Sequence, residues 1–148
     1  MRALRLSAVL GVSLAAMLAT ASAGVVEDRV ANFKSARDDL RGIFRTHLKE
    51  KDFAAIEAAA MRLAAWGERI PAHFPPDSTS DGARPEIWDN FEDFSARAAR
   101  FKDAAEALAE IARTGGDTPS LRKAALRQAA QKVGGTCKAC HDTYRIKK

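Results

Sequence analysis

Apolar side chains recur at intervals of three and four in four separate stretches of this chain, and no segment alternates at the period of two that marks a half-buried strand. That pattern restricts the fold to packed amphipathic helices. The first stretch runs from Val25 to about Leu48, with Val26, Val30, Phe33, Leu40 and Phe44 on one face and charges on the other. Lys49 to Asp52 makes a polar turn, and Asp52 is placed to cap the second helix. That helix turns Phe53, Ile56, Ala60, Leu63 and Trp66 or Ile70 inward and ends near Pro71. Its many alanines permit close approach of a neighbour. Residues 73 to 84 hold Pro75, Pro76, Gly82 and a Ser-Thr-Ser-Asp run, so they form the longest connection. A third helix is expected from Pro85 to Thr114 through Trp88, Phe91, Phe94, Ala98, Phe101, Ala105, Leu108 and Ile111. Gly115-Gly116 stops it, and Asp117-Thr118-Pro119 starts a fourth that reaches about Ile146. The prediction is an all-α, antiparallel four-helix bundle.

Near the end of the fourth helix lies Cys137-Lys138-Ala139-Cys140-His141, which gathers both cysteines and one of the three histidines. Two thiols three positions apart on a helix suit two thioether bonds to one haem, and the next residue is a histidine able to ligate its iron. Three other readings compete. A redox Cys-x-x-Cys opens a helix after a strand, and no strand pattern precedes this one. A structural zinc site needs four ligands, and only His47 and His73 remain to complete it, without finger-like spacing. A disulfide between the two cysteines closes a very small loop and stabilises little. The motif therefore predicts one haem c per chain, covalently bound and slotted into the bundle.

Residues 1–23 read as a leader outside the fold. Arg2 and Arg5 precede an apolar run from Leu6 to Leu18, and Ala21-Ser22-Ala23 is a cleavage pattern. The run is short for a membrane anchor and lacks a stop-transfer flank, so export with cleavage is expected, to the periplasm, and no membrane association afterwards. Removing 23 residues from 148 leaves 125, one domain at 24–148. Loss of Arg2 and Arg5 takes the formal charge from +5 to +3. A balance that small, with acids and bases interspersed, is no nucleic-acid footprint. The basic end, Arg145, Lys147 and Lys148, suits either a solvated helix terminus or docking of an acidic redox partner.

Other residues are open to two readings. Arg29 and Arg37 lie one turn to either side of Phe33, positioned to pair with a haem propionate or to reach solvent. Met61, in the middle of the second helix, reads as a gap-filling core residue. Gly134-Gly135 interrupts the fourth helix just before the motif, at about 1 kcal/mol per glycine relative to alanine, which calls for close approach of a haem or marks a kink.

The chain resembles the class II cytochromes c, and most closely the cytochromes c′. The resemblance is carried by Cys137-Lys-Ala-Cys-His-Asp-Thr-Tyr-Arg145, Ala83-Arg-Pro-Glu-Ile-Trp88 with Phe94 downstream, Ile70-Pro-Ala-His-Phe74 and Arg29-x-x-x-Phe33. It implies that Cys137 and Cys140 carry the haem, His141 is the axial iron ligand, Arg29 lies near a propionate and Phe33 faces the distal side. Low-spin members have a methionine where Phe33 stands, so the resemblance implies five-coordinate, high-spin iron that binds nitric oxide and other small gases. It also implies a homodimer through the first two helices. Arg145, four residues after His141, is expected one turn along on the same face, where its charge lowers imidazole basicity. Two further functions were weighed: a low-spin electron carrier, which needs a second axial ligand, and a peroxidase, which needs a distal acid–base group. His47 and His73 are the only candidates for the latter, and both fall near helix ends.

Overall fold

A computed structural model describes residues 12–116 and 118–147, with side chains from residue 24 onward. The leader expected at 1–23, Asp117 of the expected helix start and Lys148 of the basic end therefore lie outside the described residues or side chains. Four long helices carry the fold: α1 (Val12–Gly42), α2 (Phe53–Arg69), α3 (Phe91–Thr114) and α4 (Pro119–Tyr144). None of the helices described is long and apolar enough to cross a membrane.

The helix starts follow capping chemistry. Asp52 leaves helical geometry and its carboxylate accepts the Ala55 N–H at 3.0 Å, satisfying an otherwise open donor of α2. Lys51 ahead of it adopts a left-handed conformation, φ 58°, which reverses the chain between α1 and α2. Thr118 caps α4 through the Leu121 N–H, with Pro119 in the first turn. Before that turn α1 loosens into a π-helical stretch, Ile43–His47, and a short helical turn, Leu48–Glu50.

The interior is built by α2, α3 and α4. Ile56, Ala59, Ala60, Leu63, Ala64, Trp66 and Gly67 of α2 are buried, as are Phe94, Ala98, Phe101, Ala105, Leu108 and Ala112 of α3. From α4 come Leu126, Ala129, Ala130, Val133 and Tyr144. Spacings of three and four put each set on one face. The small residues let the axes close up: a Cβ at Gly67 would sit 3.0 Å from the backbone of Lys102. By contrast, Arg29 is the only buried side chain of the described part of α1, while Phe33, Ala36 and Leu40 are half-buried against the core.

Several expectations are corrected. The third helix breaks at Asn90, whose φ of −126° and ψ of 47° separate a short turn, Glu86–Asp89, from α3. Gly134-Gly135 does not interrupt α4, which continues through it to Tyr144. A Cβ at Gly134 would meet Leu40 at an ordinary 3.8 Å and one at Gly135 would meet open space, so no protein backbone presses on either glycine. Met61 is 60% exposed on the outer side of α2 and fills no gap in the core. Val30, placed on the inward face by its spacing, is 61% exposed.

Past α4 the chain is tied down. Arg145 forms an isolated antiparallel bridge with Ala83, the Arg84 N–H donates to Tyr144 O at 3.0 Å, and the Ile146 N–H donates to Gly82 O at 3.1 Å. The C-terminal segment thus closes against the connection that leads into α3.

Candidate functional site

Cys137 and Cys140 lie on the inner side of α4, half-buried against the core and not joined in a disulfide. Burial raises both thiols, that of Cys140 to about 11, with the charge of Arg97 opposing the rise at Cys140. Low solvent access around two unpaired thiols suits covalent capture of an apolar ring system better than exposed redox exchange. His141, also half-buried, stands edge-on to Phe33 of α1 with ring centroids 6.2 Å apart. Burial first, then the charge of Arg145, lowers the His141 pKa, while Asp142 opposes them. The imidazole is therefore biased to the neutral form, whose lone pair is what a metal ligand requires. Arg145 acts from outside α4, since the chain has turned into the bridge with Ala83; its side chain does not continue the helical face as the spacing predicts.

Phe33 completes an aromatic wall. It meets Trp66 at 5.0 Å and Phe74 at 6.5 Å between centroids, both edge-on. Arg29, one turn before it, is 3% exposed and lies over Phe74 with its guanidinium carbon 4.1 Å from the ring centroid. Its Nη1 donates to His73 O at 3.2 Å and to Ser78 Oγ at 3.4 Å; its Nη2 donates to Ser78 O and Ser80 Oγ, each at 3.0 Å. All four terminal N–H groups are thus committed to the 73–80 connection, which Arg29 clasps to α1. Burial lowers its pKa. Arg37 is exposed and paired with Asp38 at 3.2 Å, so the bracketing of Phe33 by two arginines does not persist.

The remaining candidates lie elsewhere. His73 is half-buried, with Nδ1 2.9 Å from Arg69 O and its ring 4.9 Å from that of Trp66. His47 is half-buried beyond the π-helical stretch, its Nδ1 enclosed without a partner. Among the described residues no three His, Cys, Asp or Glu side chains cluster as a metal-binding group, so the zinc reading finds no support. Lys147, one of the basic terminal residues, lies 3.5 Å from Asp142, which also pairs with Lys138.

Sequence spacing missed one constellation. Asp93 and Arg97 of α3 face Tyr144 of α4: the Tyr144 hydroxyl donates to Asp93 Oδ2 at 2.7 Å and Arg97 Nε donates to the same oxygen at 2.6 Å. Arg97 also donates through Nη1 to Ala139 O, between the two cysteines, at 3.0 Å. The signal present in the sequence is the i, i+4 pair Asp93/Arg97, which by itself describes an ordinary surface ion pair.

A haem fits what is present. Two half-buried thiols on one helix face and an adjacent neutral histidine form its donor set, and the aromatic wall of α1 is left half-covered opposite them. The buried Trp66 Nε1–H has no acceptor, which costs about 1–3 kcal/mol if nothing else satisfies it. A cofactor that is apolar at its faces and anionic at its edge answers both deficits.

Comparison with known proteins agrees. The family model described as Cytochrome C' matches residues 24–145. A cytochrome c-556 of Agrobacterium tumefaciens (strain II Chrys) is 34% identical over 130 residues, spanning 85% of this chain and all of the relative. A cytochrome c′ of Pararhodospirillum photometricum is 37% identical over 127 residues, 81% of this chain and 94% of that one. Among solved structures, a cytochrome c′ with ligand-controlled dimer dissociation superposes with a TM-score of 0.73 at 31% identity, covering 85% of this chain and 97% of its own. The nitric oxide complex of the L16A mutant of the Alcaligenes xylosoxidans cytochrome c′ does so with a TM-score of 0.73 at 30% identity, covering 86% and 97%. With its four-helix fold, its paired thiols for haem c and these matches along nearly all of residues 24–145, the chain belongs to the cytochrome c′ family.

Proposed function

We propose that residues 1–23 are a cleaved leader and that residues 24–148 form an exported, periplasmic haem protein whose iron keeps one coordination position open for nitric oxide and other small gases. Cys137 and Cys140 would hold the haem through thioethers, and His141 would be the one protein ligand to a five-coordinate, high-spin iron. The observation that carries this reading is Phe33 standing across the α1–α4 seam from His141. A benzyl side chain has no lone pair to offer a metal.

When bound, the haem supplies the metal coordination chemistry and the option of one-electron exchange. The chain supplies the rest. His141 is kept neutral by burial and by Arg145, so it enters as a ligand of reduced basicity. Phe33, braced by Trp66 and Phe74, crowds the opposite side and excludes water. It donates no hydrogen bond, which disfavours dioxygen, a ligand that gathers negative charge, relative to nitric oxide and carbon monoxide. A relative from Alcaligenes xylosoxidans is known as a nitric oxide complex and as a carbon monoxide complex, which supports the same ligand class here. Arg29, although near Phe33, spends its terminal donors on the 73–80 connection, and only its Nε–H is left for a propionate.

The alternative of a low-spin electron carrier needs a second strong ligand. Met61 is exposed on α2 and does not serve as one. A peroxidase needs a free acid–base group, and His73 has its Nδ1 against Arg69 O. Pairing of two copies through α1 and α2 is supported by the exposure of Val30 and Met61 and by a groove of about 570 Å³ beside them, lined by Ser35, Asp39, Arg62 and Arg69.

Absorption and EPR spectra of the ferric and ferrous protein, with and without nitric oxide, test the proposal. High-spin spectra that change on adding the gas are expected; low-spin spectra in both oxidation states would overturn the open-site reading and favour the carrier. In the same protein Phe33→Ala should speed gas association about tenfold, equivalent to about 1.4 kcal/mol of barrier, by stopped-flow mixing. An unchanged rate means that Phe33 does not guard the site.

A further inference from the structure

We infer that Asp93, Arg97 and Tyr144 form a positioning network that sets the orientation of the His141 segment by holding its backbone on both sides of the ring. The inference rests on the haem-protein reading above and adds to it three residues that touch neither the thiols nor the imidazole through hydrogen bonds.

The geometry is specific. No side-chain hydrogen bond holds the His141 ring among the described contacts; what is held is the helix that carries it. On the N-terminal side, Arg97 Nη1 donates to Ala139 O at 3.0 Å. On the C-terminal side, Tyr144 is 4% exposed, donates to Asp93 Oδ2 at 2.7 Å and stands edge-on to Phe94 with centroids 5.4 Å apart. Asp93 unites the two sides, because Arg97 Nε meets the same Oδ2 at 2.6 Å, and Arg100 stands 3.7 Å from the other oxygen. The Arg97 guanidinium also lies 5.5 Å from the Tyr144 ring centroid. One carboxylate on α3 therefore governs both anchors of a six-residue stretch that has His141 in its interior.

Arginine is suited to this task and lysine is not. Its planar fork donates from Nε to the carboxylate and from Nη1 to the carbonyl at the same time, in a fixed relation. An ammonium group at that position has one centre and satisfies one acceptor or the other. A network of this kind, coupled through one acceptor, acts as a unit, so loss of any member should loosen the others.

The test uses the haem-loaded protein, with covalent haem verified in denaturing solvent, and two readouts. Resonance Raman spectroscopy of the ferrous form reports the iron–histidine stretch, and hydrogen exchange reports the amides of residues 139–145. Asp93→Asn, Arg97→Gln and Tyr144→Phe should each broaden and shift the stretch and speed exchange across that segment. Arg97→Lys should resemble Arg97→Gln. Thr118→Ala, which removes the α4 cap at the far end and destabilises the protein generally, should change neither readout.

Wild-type spectra in all three variants, or wild-type behaviour in Arg97→Lys, would overturn the network. So would an equal effect from Thr118→Ala, since general loosening would then suffice. Absence of covalent haem would count against the proposed function instead, and the exchange measurement would still decide whether the three side chains hold the segment.

Discussion

The contact between α2 and α3 and the seam between α1 and α4 are made of similar residues and are packed to different degrees. Across the first, alanines and Gly67 let the helices close until the backbone of Lys102 leaves no space for a Cβ. Along the second, Phe33, Ala36, Leu40, Cys137, Cys140 and His141 are all half-buried, and Arg29 is the only described side chain of α1 in the interior. Apolar residues at helical spacing thus predict which face of a helix seeks burial without saying what will bury it. In three helices the answer is another helix. For α1 a large part of the answer is a cofactor held by α4, so this region should depend on loading while the other does not.

The widest separation between the two regions is expected from replacing Cys137 and Cys140 together by alanine. Covalent haem should be absent after denaturing electrophoresis with haem staining. Hydrogen exchange should accelerate in α1, with α3 amides near Ala105 and Leu108 remaining protected; equal acceleration in both would erase the distinction. A smaller contrast is expected within the haem-free protein. Leu126→Ala, at a fully buried position, should cost about 2–5 kcal/mol by denaturant unfolding, whereas Leu40→Ala on the seam should cost about 1 kcal/mol. Similar values would show that the seam is packed as firmly as the core.

The smallest expected effect concerns acid. Hydrogen bonds from Tyr144 and then Arg97, with the charges of Arg97 and Arg100, hold the Asp93 carboxyl below the usual carboxylate range. A depressed folded-state pKa gives stability that is present above the ordinary carboxylate value and lost as pH falls through the lowered one. Unfolding curves taken between about pH 6 and pH 2 should therefore steepen less for Asp93→Asn than for the unaltered chain. Identical pH dependence would show that the carboxylate gains nothing from its partners. Tyr144, raised by burial and by Asp93, gives the opposite dependence, with stability lost as pH rises through its elevated value.

Much of the architecture was legible in the sequence because local chemistry determined it. Asp52 and Thr118 act as the caps their residue types predict, and the spacing of Ile56, Leu63, Phe94, Phe101, Leu108 and Val133 identified the buried faces. The Cys-x-x-Cys-His motif was equally legible, since thioether attachment demands those residues in that order. What escaped depends on tertiary partners. Gly134-Gly135 was read as an interruption because propensity treats a helix as isolated, whereas α4 is held from Leu126 to Tyr144 by its neighbours. Met61 was placed inside because its position suits either face of an alanine-rich helix. Arg29 was given a choice between propionate and solvent, and the structure commits its terminal donors to a third partner 44 to 51 positions away. The link from Arg97 to Ala139 O was hidden for the same reason, because a backbone carbonyl has no signature in sequence.

The clasp made by Arg29 also bears on how this protein can diverge. Two of its four acceptors are the main-chain oxygens of His73 and Ser78, which every amino acid carries. Replacing His73 leaves its bond in place, and replacing Ser78 removes only the weaker of its two. Adding or deleting a residue between them moves a carbonyl out of reach of a guanidinium that is buried and has no water to turn to. The connection from 73 to 80 is thus free to drift in composition and is held to one length.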